Sequence, residues 1–249
     1  MPGQLPGDVF PVQAMSETGI TLPPALFVAG TDTGVGKTLV SACLLAFLIE
    51  RGIAAGYQKW VSTGSSEESE DALLCRQAAP LAFGRQQNLH VPYRLGLAAS
   101  PHLAAEQEGQ QVDPERLLFS FSELKQKFET LVVEGVGGLM VPLNRQLLLV
   151  DLLRRLELPV ILVCRSGLGS INHSLLSVEA LRQRAIPVAG LVFSDEAAQL
   201  DERIVTDNMR TIAELGRVEI FGRLPRSSSL EEAVRSFQPI GQTLLASMQ

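Results

Sequence analysis

Glycine, lysine and threonine stand together near residue 35 in an order that suits phosphate binding. The segment Gly30–Thr38 has the sequence Gly-Thr-Asp-Thr-Gly-Val-Gly-Lys-Thr and follows the apolar run Leu26–Ala29. Glycine N–H groups close around phosphate oxygens without a Cβ in the way, and a helix starting at Lys37 adds its positive end. Lysine here reaches the β- and γ-phosphates, and the Thr38 hydroxyl holds magnesium. The residues predicted to contact a nucleotide in this segment are Gly34, Val35, Gly36, Lys37, Thr38 and Leu39.

The spacing of this loop differs from the common phosphate-binding pattern. That pattern, G-x-x-x-x-G-K-[ST], requires glycine at position 31, where this chain has Thr31. Gly30 comes one residue earlier, so the loop is one residue longer. A glycine-rich turn between a strand and a helix also occurs without any ligand. The combination of an apolar strand, Gly-Lys-Thr and a helical segment favours nucleotide binding over that alternative.

A second lysine, Lys59, lies at the end of the next predicted strand. In an open parallel sheet, ligands bind outside the carboxyl ends of the strands. Lys59 would bring a second positive charge to a transferring phosphoryl group at that edge. Without other support, the alternative of a surface lysine at a loop entrance is favoured.

Two acidic residues stand where a magnesium ion bound to Thr38 would need them. Glu134 ends the apolar run Leu131–Val133, and Asp71 opens a predicted helix. An acidic residue that ends an apolar strand beside a phosphate loop commonly anchors magnesium. Asp71 has the alternative role of an ordinary helix N-terminal carboxylate, whereas Glu134 precedes the glycine-rich segment 135–138, which marks a tight bend or a close approach to a ligand. The predicted metal ligands are Thr38, Asp71 and Glu134.

A further candidate site is the segment Leu168–His173, which follows the predicted strand ending at Arg165. Ser170 or Asn172 would cap the next helix, and that helix end could hold an anion such as a carboxylate. Plain helix capping without a ligand remains open on spacing alone.

The elements that must position these residues alternate along the chain between short apolar runs and amphipathic stretches. Runs such as 131–133 and 160–163 are continuously apolar, as in parallel strands covered on both faces. The predicted strands are Ala25–Gly30, Ala54–Val61, Thr130–Glu134, Pro159–Arg165, Pro187–Ser194 and Val218–Leu224. The predicted helices are Lys37–Arg51, Asp71–Ala78, Pro114–Phe128, Leu147–Leu156, Asn172–Arg184 and Leu200–Leu215.

This alternation predicts an α/β fold with a doubly wound, mostly parallel sheet and helices on both faces, of the P-loop NTPase type. Residues 1–24 are predicted to form an irregular N-terminal leader because they carry several prolines and little periodicity. Residues 25–249 are predicted to form one P-loop α/β domain.

Composition excludes several classes of protein. Of the 249 residues, 46% are hydrophobic and 19% are charged, which excludes global disorder. The net charge of −6 argues against a nucleic-acid partner. No apolar run is long enough for a transmembrane span, and the N-terminus lacks a signal-peptide pattern. The three cysteines have no metal-binding spacing, so we expect a cytoplasmic protein.

Taken together, these motifs resemble the dethiobiotin synthetase family of the biotin pathway. The resemblance covers positions 26 to about 224, and the longer phosphate loop is that family's form of the motif. The motifs that carry it, in order, are Gly30–Thr38, Lys59 with Ser62-Thr63-Gly64, Asp71, Ser100-Pro101-His102, Glu134-Gly135-Val136-Gly137-Gly138 and Leu168–His173. The resemblance implies a homodimer that uses Mg²⁺, with ATP as co-substrate, to close the ureido ring of dethiobiotin from 7,8-diaminopelargonate and CO₂. A carbamate and a carbamic-phosphate intermediate are implied.

The resemblance also implies roles for individual residues. Lys59 and Lys37 are the implied catalytic residues, and the start of the helix near Ser170 would bind the substrate carboxylate across the dimer interface. The implied substrate-binding residues are Lys59, Thr63, Ser170, Ile171 and Asn172. Further implied nucleotide contacts are Asp71, Glu134, Gly135, Val136, Gly137, Ser194, Asp195, Leu224, Pro225 and Arg226.

Two positions depart from that family's pattern. Trp60 stands where the family commonly has proline, and Ser194 stands where many members have an asparagine that recognises adenine. A serine hydroxyl is shorter than an amide and cannot pair through a donor and an acceptor in one plane. We therefore predict that the protein uses ATP but selects it less sharply over other nucleotides.

Three other functions share parts of this pattern. A partition-type P-loop ATPase switch would have a second lysine in its loop, where this chain has Asp32. An amide ligase resembling the cobyrinate enzymes would normally carry a glutaminase domain, for which the chain is too short. A non-catalytic nucleotide sensor is the third alternative, and Lys59 argues against it only through the resemblance.

Overall fold

The computed structural model describes residues 22–197 and 199–248. The predicted leader, residues 1–24, lies outside the described residues apart from positions 22–24, which precede the first strand without regular secondary structure. The proposed division into a leader and one domain stays a prediction.

Strands and helices alternate through the described residues. The strands are β1 (Ala25–Gly30), β2 (Ala55–Lys59), β3 (Val61–Thr63), β4 (Tyr93–Leu95), β5 (Thr130–Glu134), β6 (Pro142–Asn144), β7 (Leu147–Leu148), β8 (Val160–Arg165), β9 (Val188–Ser194) and β10 (Ile220–Leu224). The helices are α1 (Lys37–Glu50), α2 (Glu70–Ala78), α3 (Gln87–His90), α4 (Pro101–Gln107), α5 (Pro114–Lys125), α6 (Leu149–Arg154), α7 (Ser170–Arg182), α8 (Glu202–Gly216) and α9 (Leu230–Ser247). A 3₁₀ helix spans Pro80–Ala82.

A central sheet in the order β10-β9-β8-β1-β5-β2 organises the fold, and every neighbouring pair in it is parallel. One apolar layer, with α1, α2 and α9, packs on the side of Leu26 and Val28. The other layer, with α5, α6, α7 and α8, packs on the side of Ala25 and Phe27. Because both faces are covered, the central strands β1 and β8 are mostly apolar, and the predicted doubly wound α/β fold is confirmed.

The predicted strand 54–61 is wrong as a single element, since it divides at Trp60 into β2 and β3. The Trp60 N–H donates to the Glu134 carbonyl at 3.1 Å, and the buried indole ring packs edge-on against Phe27 at 4.8 Å between centroids. Beyond it, β3 leaves the central sheet and pairs in parallel with β4. The division places Thr63 in a separate small sheet rather than at the main sheet edge.

The C-terminal helix α9 is an element that local sequence patterns did not indicate. Pro239 lies inside it, and an interior proline ordinarily argues against a helix. Buried side chains of α9 nevertheless pack on α1, and Gly241 comes so close to Phe47 that a Cβ there would lie 2.6 Å from its ring. Packing therefore overrides local propensity here. No helix among the described residues is both long and apolar enough to cross a membrane.

Candidate nucleotide and catalytic site

Parallel pairing brings the ends of three strands together at one edge of the sheet. Lys59, the last residue of β2, lies directly opposite Glu134, the last residue of β5. Glu134 also pairs with Val28 in β1, whose C-terminal end leads into the phosphate loop. Residues far apart in sequence therefore meet where ligands bind in such sheets.

The loop between β1 and α1 has the backbone shape that its glycines allow. Gly34 and Gly36 both have positive φ angles, of 74° and 93°, which residues with a Cβ rarely adopt. The Lys37 side chain curls back over the loop and donates a hydrogen bond from Nζ to the Asp32 carbonyl at 2.8 Å. A Cβ at Gly30 would lie 2.8 Å from this Nζ, so the early glycine of the longer loop makes room for the lysine.

Helix α1 begins at Lys37 without a side-chain cap. The N–H groups of its first turn therefore remain directed at the loop, where the helix end attracts an anion. Burial, together with the positive charge of Lys59, lowers the pKa of Lys37 to about 8. The negative charges of Glu134, Asp71 and Asp32 act in the opposite direction. A bound phosphate would raise this pKa again, because its negative charge favours the charged form of the lysine.

Three oxygen atoms surround the start of α1. The Thr38 Oγ1 atom lies 2.5 Å from Asp71 Oδ1 and 2.9 Å from Glu134 Oε1. Asp71 belongs to the first turn of α2, which begins at Glu70, one residue earlier than predicted, because Ser69 Oγ accepts a hydrogen bond from the Ala72 N–H at 3.2 Å. The predicted grouping of Thr38, Asp71 and Glu134 is thus present in the structure.

Hydroxyl and carboxylate oxygens are the ligands that Mg²⁺ prefers in proteins. Thr38, Asp71 and Glu134 provide such a set and are the residues that would hold the ion. Elsewhere among the described residues, no group of three or more histidines, cysteines and acids could hold a metal ion. The donor chemistry of this trio therefore fits the predicted metal.

Lys59 lies at the centre of the site and has three acceptors. Its Nζ donates to Glu134 Oε1 at 2.6 Å and to the Gly135 carbonyl at 3.0 Å, and it lies 2.9 Å from Asp71 Oδ2. Burial by itself would lower the pKa of Lys59, but the charges of Glu134 and Asp71 outweigh it and raise that pKa. Lys59 is therefore a buried, fully charged ammonium rather than the surface lysine of the alternative interpretation.

Sequence reasoning missed two residues, one that supports the Lys59 site and one that supports the loop before α7. Tyr57 lies on the same face of β2 as Lys59, two residues earlier, and its hydroxyl donates to Glu134 Oε2 at 2.9 Å. Asn208 of α8 donates from Nδ2 to the carbonyls of Ser166 at 3.3 Å and Gly167 at 3.1 Å. The period-two spacing from Lys59 could have identified Tyr57, but no local signal connects Asn208 to the loop before α7.

The end of the sheet beyond β8 holds the predicted carboxylate site. The prediction that Ser170 or Asn172 caps this helix is wrong, because α7 begins at Ser170 and Gly169, with φ of 88°, occupies the capping position without a side chain. The buried Ser170 hydroxyl has no hydrogen-bond partner among the described residues. Ile171 and Asn172 follow in the first turn, so the N–H groups of this helix end have no side-chain cap.

The ends of β9 and β10, on the far side of the phosphate loop, carry further residues predicted to contact the nucleotide. A Cβ on Gly36 would lie 2.5 Å from Ser194 Oγ, so the Ser194 side chain rests against the phosphate loop. The Asp195 carboxylate is held by Arg223 Nε at 2.8 and 3.0 Å, and the Asp195 N–H donates to the Leu224 carbonyl. After Pro225, Arg226 donates to the Glu196 carbonyl at 2.7 Å. These residues adjoin the loop, and nucleotide contact by them stays a prediction.

Known proteins match this chain in both sequence and fold. A family model described as an AAA domain matches residues 24–234. The ATP-dependent dethiobiotin synthetases of Brucella ovis, Brucella canis and Brucella suis are each 43% identical to this chain over 202 residues, or 80% of this chain and 85% of each relative.

Solved structures show the same fold at low identity. The MinC:MinD cell division protein complex of Aquifex aeolicus has a TM-score of 0.54, 13% identity, and coverage of 90% of this chain and 93% of that chain. A ParA family ATPase from Chlorobium tepidum TLS has a TM-score of 0.51, 13% identity, and coverage of 90% and 98%. The sequence matches are much closer than these structural matches. At 43% identity over 80% of the chain, they show that the chain belongs to the ATP-dependent dethiobiotin synthetase family.

Proposed function

We propose that this protein is a dethiobiotin synthetase, which converts 7,8-diaminopelargonate, CO₂ and ATP into dethiobiotin, ADP and phosphate. The observation that carries the proposal is the placement of Lys59 within 2.9 Å of both Asp71 and Glu134, beside the Thr38 hydroxyl of the phosphate loop. A nucleotide switch needs the loop and a metal site. A buried lysine at their junction suits an enzyme that transfers a phosphoryl group to a small substrate.

In the proposed reaction, one amine of the substrate attacks CO₂ and loses a proton to give a carbamate. A carbamate oxygen then attacks the γ-phosphorus of ATP, and ADP leaves. The second amine attacks the carbamic-phosphate carbon, phosphate leaves, and the amine loses a proton as the ureido ring closes. Lys59 and Lys37 stabilise the negative charge on the carbamate and on the phosphoryl group, which is most of what this type of transfer requires of a protein.

Thr38, Asp71 and Glu134 would hold the magnesium ion. When bound, the ion would neutralise part of the negative charge of the phosphates. The loop N–H groups and the start of α1 position the β- and γ-phosphates, while the ends of β9 and β10, with Ser194 and Arg226, border the nucleotide's other end.

The proposed anchor for the substrate carboxylate is the start of α7, where Ser170, Ile171 and Asn172 present a helix N-terminus. This helix follows β8, whereas Lys59 ends β2, and β1 and β5 lie between them. Three strand spacings amount to about 14 Å. We therefore propose that the anchor serves the active site of a second copy, whose Lys59 and Thr63 contact the reacting end of the substrate.

Exposed apolar side chains around this helix start support a homodimer. Leu168 is 86% exposed, Leu176 60% and Met140 54%. Met140 and Leu176 also line a cavity of about 360 Å³ that includes Thr31 and Asp32 of the phosphate loop. An apolar surface next to a site is the usual mark of an interface. A cytoplasmic location without nucleic-acid or membrane partners completes the proposal.

The alternatives lack a supporting observation of their own. The MinD and ParA structures share the fold but only 13% of the sequence, so they carry no functional argument. A partition-type ATPase would have a second lysine in the phosphate loop. This chain has Asp32 at that position, and Asp32 forms an ion pair with Arg165 at 3.3 Å. Asp32 is an anion, so it cannot bring to a bound nucleotide the positive charge that a lysine at this position would supply.

A phosphate-release assay with diaminopelargonate, bicarbonate, ATP and Mg²⁺ tests the proposal. We expect the diamine to stimulate phosphate release, and Lys59→Ala to lower the rate by more than about tenfold, or ~1.4 kcal/mol of barrier. Lys127→Ala is the matched control, because Lys127 is exposed and its Nζ donates to the Gln86 side chain rather than to a residue of the site. Absence of stimulation by the diamine would reject the function, and a smaller effect of Lys59→Ala would reject the role of that residue.

A further inference from the structure

The two oxygens of the Glu134 carboxylate have different partners. Oε1 faces the reaction site, where it lies 2.9 Å from Thr38 Oγ1 and 2.6 Å from Lys59 Nζ. Oε2 accepts a hydrogen bond from the Tyr57 hydroxyl at 2.9 Å. Glu134 and Tyr57 are both fully buried. The tyrosine hydroxyl therefore takes the place that water would occupy at an exposed carboxylate.

Tyr57 is itself held on several sides. Its backbone pairs with Val132 in β5, and its ring lies 5.4 Å from that of Phe83. Its carbonyl oxygen accepts a hydrogen bond from His90 Nδ1 at 2.6 Å, and His90 Nε2 accepts one from the Gly84 N–H at 2.9 Å. A hydroxyl on so fixed a ring has one position available, and it fixes the rotation of the carboxylate that it contacts.

We propose that Tyr57 is a positioning residue that acts through Glu134, holding the carboxylate so that Oε1 faces the metal and phosphoryl site. The inference rests on the proposed function, in which Glu134 is a magnesium ligand. Without the hydroxyl, Oε2 becomes a buried anionic oxygen with no donor, and such an oxygen turns toward another partner. The nearest cation is Lys59, so the carboxylate would rotate toward the lysine and withdraw from the metal position.

The chain offers a matched control for this effect. It contains two tyrosines, Tyr57 and Tyr93. Tyr93 is also buried, but its hydroxyl accepts a hydrogen bond from the Asp113 N–H at 2.9 Å, at the start of α5 and away from the phosphate loop. Tyr57→Phe and Tyr93→Phe therefore remove the same atom from two buried sites, of which one contacts Glu134.

Titration of the full-length protein with Mn²⁺, followed by electron paramagnetic resonance in the presence of ADP, is the first experiment. Loss of a partner that orients a metal ligand costs about 10- to 100-fold in metal affinity. We expect Tyr57→Phe to weaken Mn²⁺ binding by at least about tenfold, with ADP affinity measured without metal unchanged, and Tyr93→Phe to affect neither. Mn²⁺ binding by Tyr57→Phe that equals the wild type would overturn the proposal. Because no diamine is present, this outcome is separate from a failure of the proposed reaction.

A second measurement avoids the risk that Tyr57→Phe does not fold. Protein grown with 3-fluorotyrosine should give two ¹⁹F resonances, and the single resonance that remains in Tyr93→Phe identifies Tyr57. We expect Mg²⁺ with ADP to shift the Tyr57 resonance and to leave the Tyr93 resonance in place. A Tyr57 resonance that does not respond to the metal would contradict the inference, since a tyrosine with a merely structural role has no reason to sense the ion.

Discussion

The carboxyl edge of the sheet has two unlike halves. Around β1, β5 and β2, Lys59 pairs with Glu134 at 2.6 Å and with Asp71 at 2.9 Å. Around β8, the start of α7 has no side-chain cap, the Ser170 hydroxyl has no partner among the described residues, and Leu168 and Leu176 are exposed. The first half is complete within one chain, and the second has unused donors and uncovered apolar surface.

This difference suggests how the two halves work. Groups that are already in place cost no reorganisation when charge develops, so the first half suits the chemical step. Helix N–H groups and apolar side chains that lack partners suit binding from outside, by a substrate carboxylate and by a second copy of the chain. The proposed function therefore assigns chemistry to one half and substrate anchoring to the other.

Glu134→Ala should break the complete half with the largest effect on stability. Removing one partner of a buried charge pair costs about 3–5 kcal/mol, and because Lys59 keeps Asp71 and the Gly135 carbonyl as acceptors, we place the cost here at the lower end of that range. We expect urea denaturation of the ligand-free protein to show a loss of this size in the free energy of unfolding. Glu129→Ala, at an exposed position before β5, should leave that free energy nearly unchanged. Equal effects of the two substitutions would show that Lys59 and Glu134 do not depend on each other.

Leu176→Arg tests the incomplete half. Leu176 is 60% exposed, so arginine should fold normally there, but a second copy could not cover it. We expect sedimentation velocity to show a monomer and the reaction rate to fall by at least about tenfold, or ~1.4 kcal/mol. Leu81→Arg is the control, since Leu81 is 76% exposed on the 3₁₀ helix, away from α7. A Leu176→Arg protein with the mass and rate of the wild type would rule out an interface at this surface.

Ser194→Asn, at the nucleotide end of the site, should have the smallest effect of the three substitutions. The wild-type serine is too short to pair with adenine through a donor and an acceptor, so we expect the wild type to select ATP only weakly over GTP and CTP. An asparagine amide adds one hydrogen bond of about 0.5–1.5 kcal/mol, which corresponds to roughly a two- to tenfold gain in preference for ATP. Competition assays with the three nucleotides measure it. A strong ATP preference in the wild type would contradict the prediction.

Local patterns were sufficient for most strands of the central sheet and for naming Thr38, Asp71 and Glu134 at its edge. The strand ends at Gly30 and Glu134 match the structure because an apolar run followed at once by glycine leaves few other possibilities. Patterns failed at Trp60, where the chain leaves the sheet, because the turn depends on packing against Phe27 rather than on a local breaker. They also failed at α9, where contact with α1 overrides Pro239.

The sequence alone determined the nucleotide loop, the fold class and the identity of Lys59, Asp71 and Glu134 as candidates, because each depends on residue type and spacing within a short segment. Tertiary structure decided what those residues do to one another. Parallel pairing places Lys59 opposite Glu134. Lys59 is therefore a buried ammonium with three acceptors, and not the surface lysine that local spacing favoured. The Tyr57 contact likewise joins residues 77 positions apart, a distance at which no local pattern specifies partners.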